Sequence, residues 1–208
     1  MGADKKMLNK KIGLLDVDSR EVGQDGYGLV FRERVLPIAD KLNRFYDFAY
    51  QYDLPLVFTT CCSGNFLKKD SSDYISYVPI DKADDSWIEN IKNYRCFYIQ
   101  KRQHGNPRIN CENCAYDFFK YNANALKLFQ SLGVKEWVVL GNGFDSCGRI
   151  ACEHLLKNGF VPIIIEDAVV SDNGGNSESR KAIIDKLKEE GARVMIADEF
   201  FKKYGNGK

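Results

Sequence analysis

Short apolar runs alternate along this chain with longer stretches whose apolar residues recur every three or four positions. The first run, KIGLLDVD, ends at Asp16 and Asp18. Val35, Ile38, Leu42, Phe45, Phe48 and Tyr52 follow at helical spacing, which predicts an amphipathic helix with Phe45 and Phe48 in the core. LPLVFTT from Leu54 predicts a second strand, YRCFYIQK a third ending at Lys101, EWVVLG a fourth, FVPIIIEDA a fifth and ARVMIAD a sixth. Between them, DDSWIENIKN has the spacing of a short helix and YDFFKYNANALKLFQSLG that of a helix stopped at Gly133. A further helix is predicted from Ser146 to Gly159, and another over SESRKAIIDKLKEEG with Ser177 as its cap.

Strand and helix in this alternation predict an α/β fold: a six-stranded parallel sheet with helices on both faces, a three-layer α/β/α sandwich. Near-continuous apolar runs such as FVPIII suit strands buried on both sides. In open sheets of this kind ligands bind beyond the carboxyl ends of the strands. Those ends are Asp16 or Asp18, Thr60 to Cys62, Lys101, Gly141 to Cys147, and Asp167.

A chain of 208 residues predicts one domain, 1–208. The net charge of +1 gives no electrostatic case for nucleic acid or an acidic membrane. No stretch is long and apolar enough to span a bilayer, and MGADKKMLNKK lacks the apolar segment of a signal peptide. Lys6 stands where a myristoylation signal needs Ser or Thr, so a cytoplasmic protein is expected. Seven cysteines, an odd number, then predict buried thiols, metal ligands or a nucleophile rather than a disulfide framework.

Cys147 opens a helix behind the turn GNGFD. A thiolate there is stabilised by the helix dipole, and a nearby lysine such as Lys101 would add to that. A carboxylate on the same rim could take the thiol proton, and backbone N–H groups of the turn supply the material of an oxyanion hole. These parts suit attack on a carbonyl; packing of a small residue in a strand-to-helix turn is the plainer reading.

VVLGNGFDSCGRIACEHLLKNGF resembles the nucleophile segment of the isochorismatase-like cysteine hydrolases: strand, Gly, a short turn, Cys, then a helix ending in Gly and an aromatic. IGLLDVD, LPLVFTT, CFYIQK, FQSLGVKEWVVLGNG and VPIIIEDAVVSDN resemble the other segments of that family in order. The resemblance implies an Asp–Lys–Cys triad at Asp16, Lys101 and Cys147, oxyanion donors at the N–H groups of Gly143 and Cys147, and a cis peptide at Asn142–Gly143. Matching the family's Asp–apolar–Gln pattern selects Asp16; strand length alone leaves Asp18 open. The implied activity is cleavage of a C–N bond in a small amide or ureide through a thioester, by a homo-oligomer that needs no catalytic cofactor. The alternative is a non-catalytic member serving as a binding or assembly module.

Two departures narrow this. The family's nicotinamidases carry an Asp-x-His metal site after the second strand, where this chain has TTCCSGN; isochorismatases proper lack the cysteine. A loop inserted at 102–114 carries Cys111-x-x-Cys114, and with Cys61 and Cys62 it could close a structural zinc site; free thiols are the other reading. Among the remaining candidates, His154 lies seven residues past Cys147, about 10.5 Å along a helix and too far for a dyad. His104 fits the rim less well than Lys101. Cys152 and Trp137 are expected in the core, and Phe144 at the pocket wall.

Overall fold

The computed structural model describes residues 12–19, 34–60, 88–91, 96–100, 118–121, 125–171 and 177–205. Seven strands form one sheet: β1 (Ile12–Val17), β2 (Leu56–Thr60), β3 (Ile88–Ile91), β4 (Cys96–Gln100), β5 (Glu136–Asn142), β6 (Val161–Val170) and β7 (Arg193–Met195). Their order is β3-β4-β2-β1-β5-β6-β7. The six strands expected from the sequence are mutually parallel. β3 is an addition: the segment expected as a short helix pairs antiparallel with β4, Ile91 opposite Cys96 and Ile88 opposite Ile99. Over four residues apolar spacing does not separate a helical turn from a strand, so the free edge of β4 decides.

The helices are α1 (Ala39–Gln51), entered through a 3₁₀ turn at Leu36–Ile38; α2 (Phe118–Tyr121); α3 (Ala125–Ser131); α4 (Arg149–Lys157); α5 (Ser177–Glu189); and α6 (Ala197–Tyr204). The last was not legible as a helix, because the strand ARVMIAD was expected to run through Ala197 and Asp198. Its entry is built by carboxylates. Asp167 of β6 accepts the Ala197 N–H at 2.8 Å, and Glu199 accepts the Ile196 N–H at 3.3 Å. Asp167 therefore caps a helix instead of ending a strand, since β6 continues to Val170.

Consecutive strand residues go to opposite sides of the sheet. Leu14, Phe58, Val138, Leu140 and Ile163 join Leu42, Phe45 and Phe48 of α1 and Phe200 and Tyr204 of α6 in one cluster. Leu15, Val57, Val139 and Ile164 join Phe118, Phe129, Ala151, Leu155, Ile184 and Leu187 in the other. Trp137 is buried in that second cluster, its indole lying over Gly13, where a Cβ would come within 2.6 Å of the ring. Among the described residues no helix is long and apolar enough to cross a membrane.

The chain builds outward from β1 in two directions, first through β2 to β4, then through β5 to β7. The order thus reverses between β1 and β5. In open α/β sheets the crevice outside the carboxyl ends at such a reversal is the ligand site. Asp16, near the end of β1, and the turn with Cys147, which follows β5, belong to this edge of the sheet.

Candidate active site at the carboxyl ends of β1 and β5

β5 reaches this edge through Gly141, which pairs with Val17 of β1. Its φ is +109°, and a Cβ there would be driven onto the Val17 carbonyl oxygen, with Asp16 Oδ1 at 2.8 Å. Only glycine allows this approach. The two strand ends are consequently drawn together, with the Asp16 carboxylate against the backbone of β5.

Gly143 then turns the chain in the left-handed region, φ 71° and ψ 39°. Residues Phe144–Gly148 form a π turn: the Gly143 carbonyl accepts the Ser146 N–H at 3.0 Å and the Gly148 N–H at 2.9 Å. The Ser146 hydroxyl also donates to it, at 3.2 Å. Cys147 is buried inside this turn, immediately before α4, and the turn packs against the end of β1. The expected cis peptide at Asn142–Gly143 is corrected, because every peptide among the described residues is trans. The left-handed glycine reverses the chain direction on its own, which is a conformation glycine adopts at little cost.

Asp16 is fully buried at the end of β1. Its Oδ2 accepts the Ser19 hydroxyl at 2.5 Å and also the hydroxyl of Tyr46, from α1; its Oδ1 accepts the Ser19 N–H at 3.3 Å. The ring of Tyr46 is braced 5.5 Å from that of Phe58. Hydroxyl donors on one oxygen stabilise a negative carboxylate and fix its plane. Tyr46 and Ser19 were not foreseen. The available signal was a tyrosine four residues after Leu42, beside the apolar stripe, whose hydroxyl needs a partner when half-buried.

Asp18 is also buried, with φ at +52°. It is tied to β2 instead: its N–H donates to the Thr59 carbonyl at 3.2 Å, and its Oδ1 accepts the Thr59 hydroxyl at 2.9 Å. Of the two candidate acids, Asp16 is the one whose carboxylate lies against β5.

The other candidates divide cleanly. His154 stacks on Phe119, ring centroids 5.9 Å apart and 11° from parallel, in a packing role. Cys152 is fully buried; burial, and secondarily the Glu153 charge, push its thiol far up, so it is no nucleophile at neutral pH. Phe144, expected at a pocket wall, is instead buried in the hydrophobic cluster, packed on Gly148 where a Cβ would lie 2.9 Å from its ring. The π turn swings it inward. Lys101, His104, Cys61, Cys62, Cys111 and Cys114 lie outside the described residues. Among the described residues no His, Cys, Asp and Glu side chains gather in a group that could hold a metal ion.

By sequence the chain matches no family model and no curated protein. By structure, its fold is that of the isochorismatase-like hydrolases. An isochorismatase-like hydrolase from Alkaliphilus metalliredigens matches with a TM-score of 0.62 at 17% identity, covering 94% of this chain and 97% of that one. N-carbamoylsarcosine amidase from Thermoplasma acidophilum matches at 0.61 and 15% identity, over 90% and 97%. The pyrazinamidase of Pyrococcus horikoshii, solved in complex with zinc, matches at 0.60 and 18% identity, over 89% and 99%.

Proposed function

We propose that this chain is a cysteine hydrolase that cleaves a C–N bond of a small amide or ureide, built as a single three-layer α/β/α domain over 1–208. The observation that carries the proposal is the buried Asp16 carboxylate lying against Gly141 of β5, the strand that leads into the Cys147 turn, at the point where the strand order reverses. Two solved structures of this fold bear the names of amide hydrolases, N-carbamoylsarcosine amidase and pyrazinamidase.

In the proposed reaction Asp16 takes the proton of the Cys147 thiol and the thiolate attacks the substrate carbonyl carbon. The N–H groups of Gly143 and Cys147 donate to the oxyanion of the tetrahedral intermediate. Its C–N bond breaks, the leaving nitrogen takes the proton from Asp16, and ammonia or an amine departs. Water, deprotonated by Asp16, then cleaves the thioester and restores the thiol. Lys101, which directly follows β4, is assigned to hold the charges of Asp16 and the thiolate. No step is routed through a metal. A zinc on Cys61, Cys62, Cys111 and Cys114 would be structural, because four thiolates leave no open coordination position.

A screen of small amides and ureides against the wild-type chain and Cys147→Ala tests this. Turnover lost in Cys147→Ala, with an acyl adduct on Cys147 seen by mass spectrometry, is the expected result. Turnover that survives in Cys147→Ala refutes Cys147 as the nucleophile; no turnover of any substrate, with a wild-type thiol that iodoacetamide labels only on unfolding, leaves a non-catalytic binding module.

A further inference from the structure

Asn142, the last residue of β5, is fully buried, and neither its Nδ2 nor its Oδ1 has a hydrogen-bond partner among the described residues. Its cross-strand partner is Val170, and the next residue of that chain segment, Ser171, is also buried with an unpartnered hydroxyl. Three orphaned polar atoms thus sit at the carboxyl edge of two neighbouring strands, directly before Gly143 and the Cys147 turn. Val170 packs on the α1 and α6 side of the sheet, the side from which Tyr46 reaches Asp16.

Such atoms are rare in folded proteins, because a polar group buried without a partner loses its water and gains nothing in return. Leucine shares the branched heavy-atom skeleton of asparagine and carries no polar atom that needs a partner. A carboxamide kept there has a use when something pairs with it. Its donor and acceptor lie side by side, so the matching group also presents an acceptor and a donor side by side: the N–C=O edge of a primary amide or a ureide. We infer that Asn142 is the specificity residue of the site, pairing through two hydrogen bonds with the amide edge of the ligand. This rests on the functional reading above for the place of the ligand, and on the orphaned amide for its chemistry.

The test is binding, in a Cys147→Ala background so that turnover does not intrude. Butyramide, N-butylurea and 2-pentanone are titrated by calorimetry and thermal shift; the ketone keeps the carbonyl and loses the N–H. Butyramide and butylurea are expected to bind and the ketone to bind far more weakly. Adding Asn142→Leu should lower amide affinity on the order of 10–100-fold and erase the preference over the ketone. Asn142→Ala, which removes the carboxamide without adding volume, should lose the same preference. An amide preference that survives either substitution, or no amide preference in the parent, overturns the inference. Because binding is read without Cys147, the amide preference can stand even if the nucleophile assignment fails.

Discussion

Replacing Gly141 by alanine tests whether the ends of β1 and β5 are as tightly drawn together as the site requires. Gly141 has φ +109°, where an L side chain costs about 1–3 kcal/mol. The new Cβ would also be forced onto the Val17 carbonyl oxygen, 2.9 Å from Val17 N and 2.8 Å from Asp16 Oδ1. Overpacking against a backbone that cannot give adds about 1–3 kcal/mol. Gly133→Ala is the internal control: its φ is +64°, but nothing lies within 4 Å of its Cβ, so it carries the conformational cost alone. Urea unfolding of both variants, with m-values checked for two-state behaviour, should show Gly141→Ala losing roughly 1–3 kcal/mol more than Gly133→Ala. The same variant should slow iodoacetamide labelling of Cys147, because the Asp16 carboxylate is pushed aside. Equal losses for the two alanines would refute the close approach of β1 and β5, and a Gly141→Ala chain that labels at the wild-type rate would refute the proposed coupling of Asp16 to Cys147.

Removing the Tyr46 hydroxyl in Tyr46→Phe keeps the ring on Phe58 but deletes a charge-assisted bond to Asp16, with an expected loss of about 1.5–3 kcal/mol in urea unfolding. It should also move the pH profile of Cys147 labelling to higher pH, since the carboxylate loses a donor; an unchanged profile would remove Tyr46 from the site. Cys152 should resist alkylation until the chain unfolds, as its thiol is pushed far up by burial, and peptide mapping of early label on Cys152 would contradict this. At the far edge of the sheet, Tyr204 donates to Glu136 at 3.1 Å while Arg193 bonds the other carboxylate oxygen at 2.6 Å. Burial, then the Glu136 charge, raise the Tyr204 pKa above its usual 10.0, so folding favours the protonated phenol. That contribution is complete below pH 10 and is lost as pH rises beyond it; Tyr204→Phe should flatten the fall in unfolding midpoint above pH 10, and identical slopes would count against it.

The sequence by itself determined the parallel framework. Six apolar runs became the six parallel strands because apolar alternation, glycine stops and strand-like composition all pointed the same way there. Gly133 and Gly159 end their helices at positive φ as their positions imply. It also placed Asp16, Asp18 and Cys147 near the carboxyl ends of strands, since residue type and position along a strand are local properties. Which acid faces β5 was not local: Asp16 and Asp18 lie two residues apart, and only the pairing of β1 with β5 on one side and with Thr59 of β2 on the other separates them. The Tyr46 hydroxyl reaches Asp16 across 30 residues of chain, and Asp167 caps a helix across 30 more, so neither contact leaves a periodic trace. β3 and α6 were missed because their four and eight residues give too few repeats for a period to be read. The trans, left-handed turn at Gly143 and the inward swing of Phe144 belong to the same class. A backbone chooses among conformations of similar local cost by what packs around it, and that choice exists only in the assembled sheet.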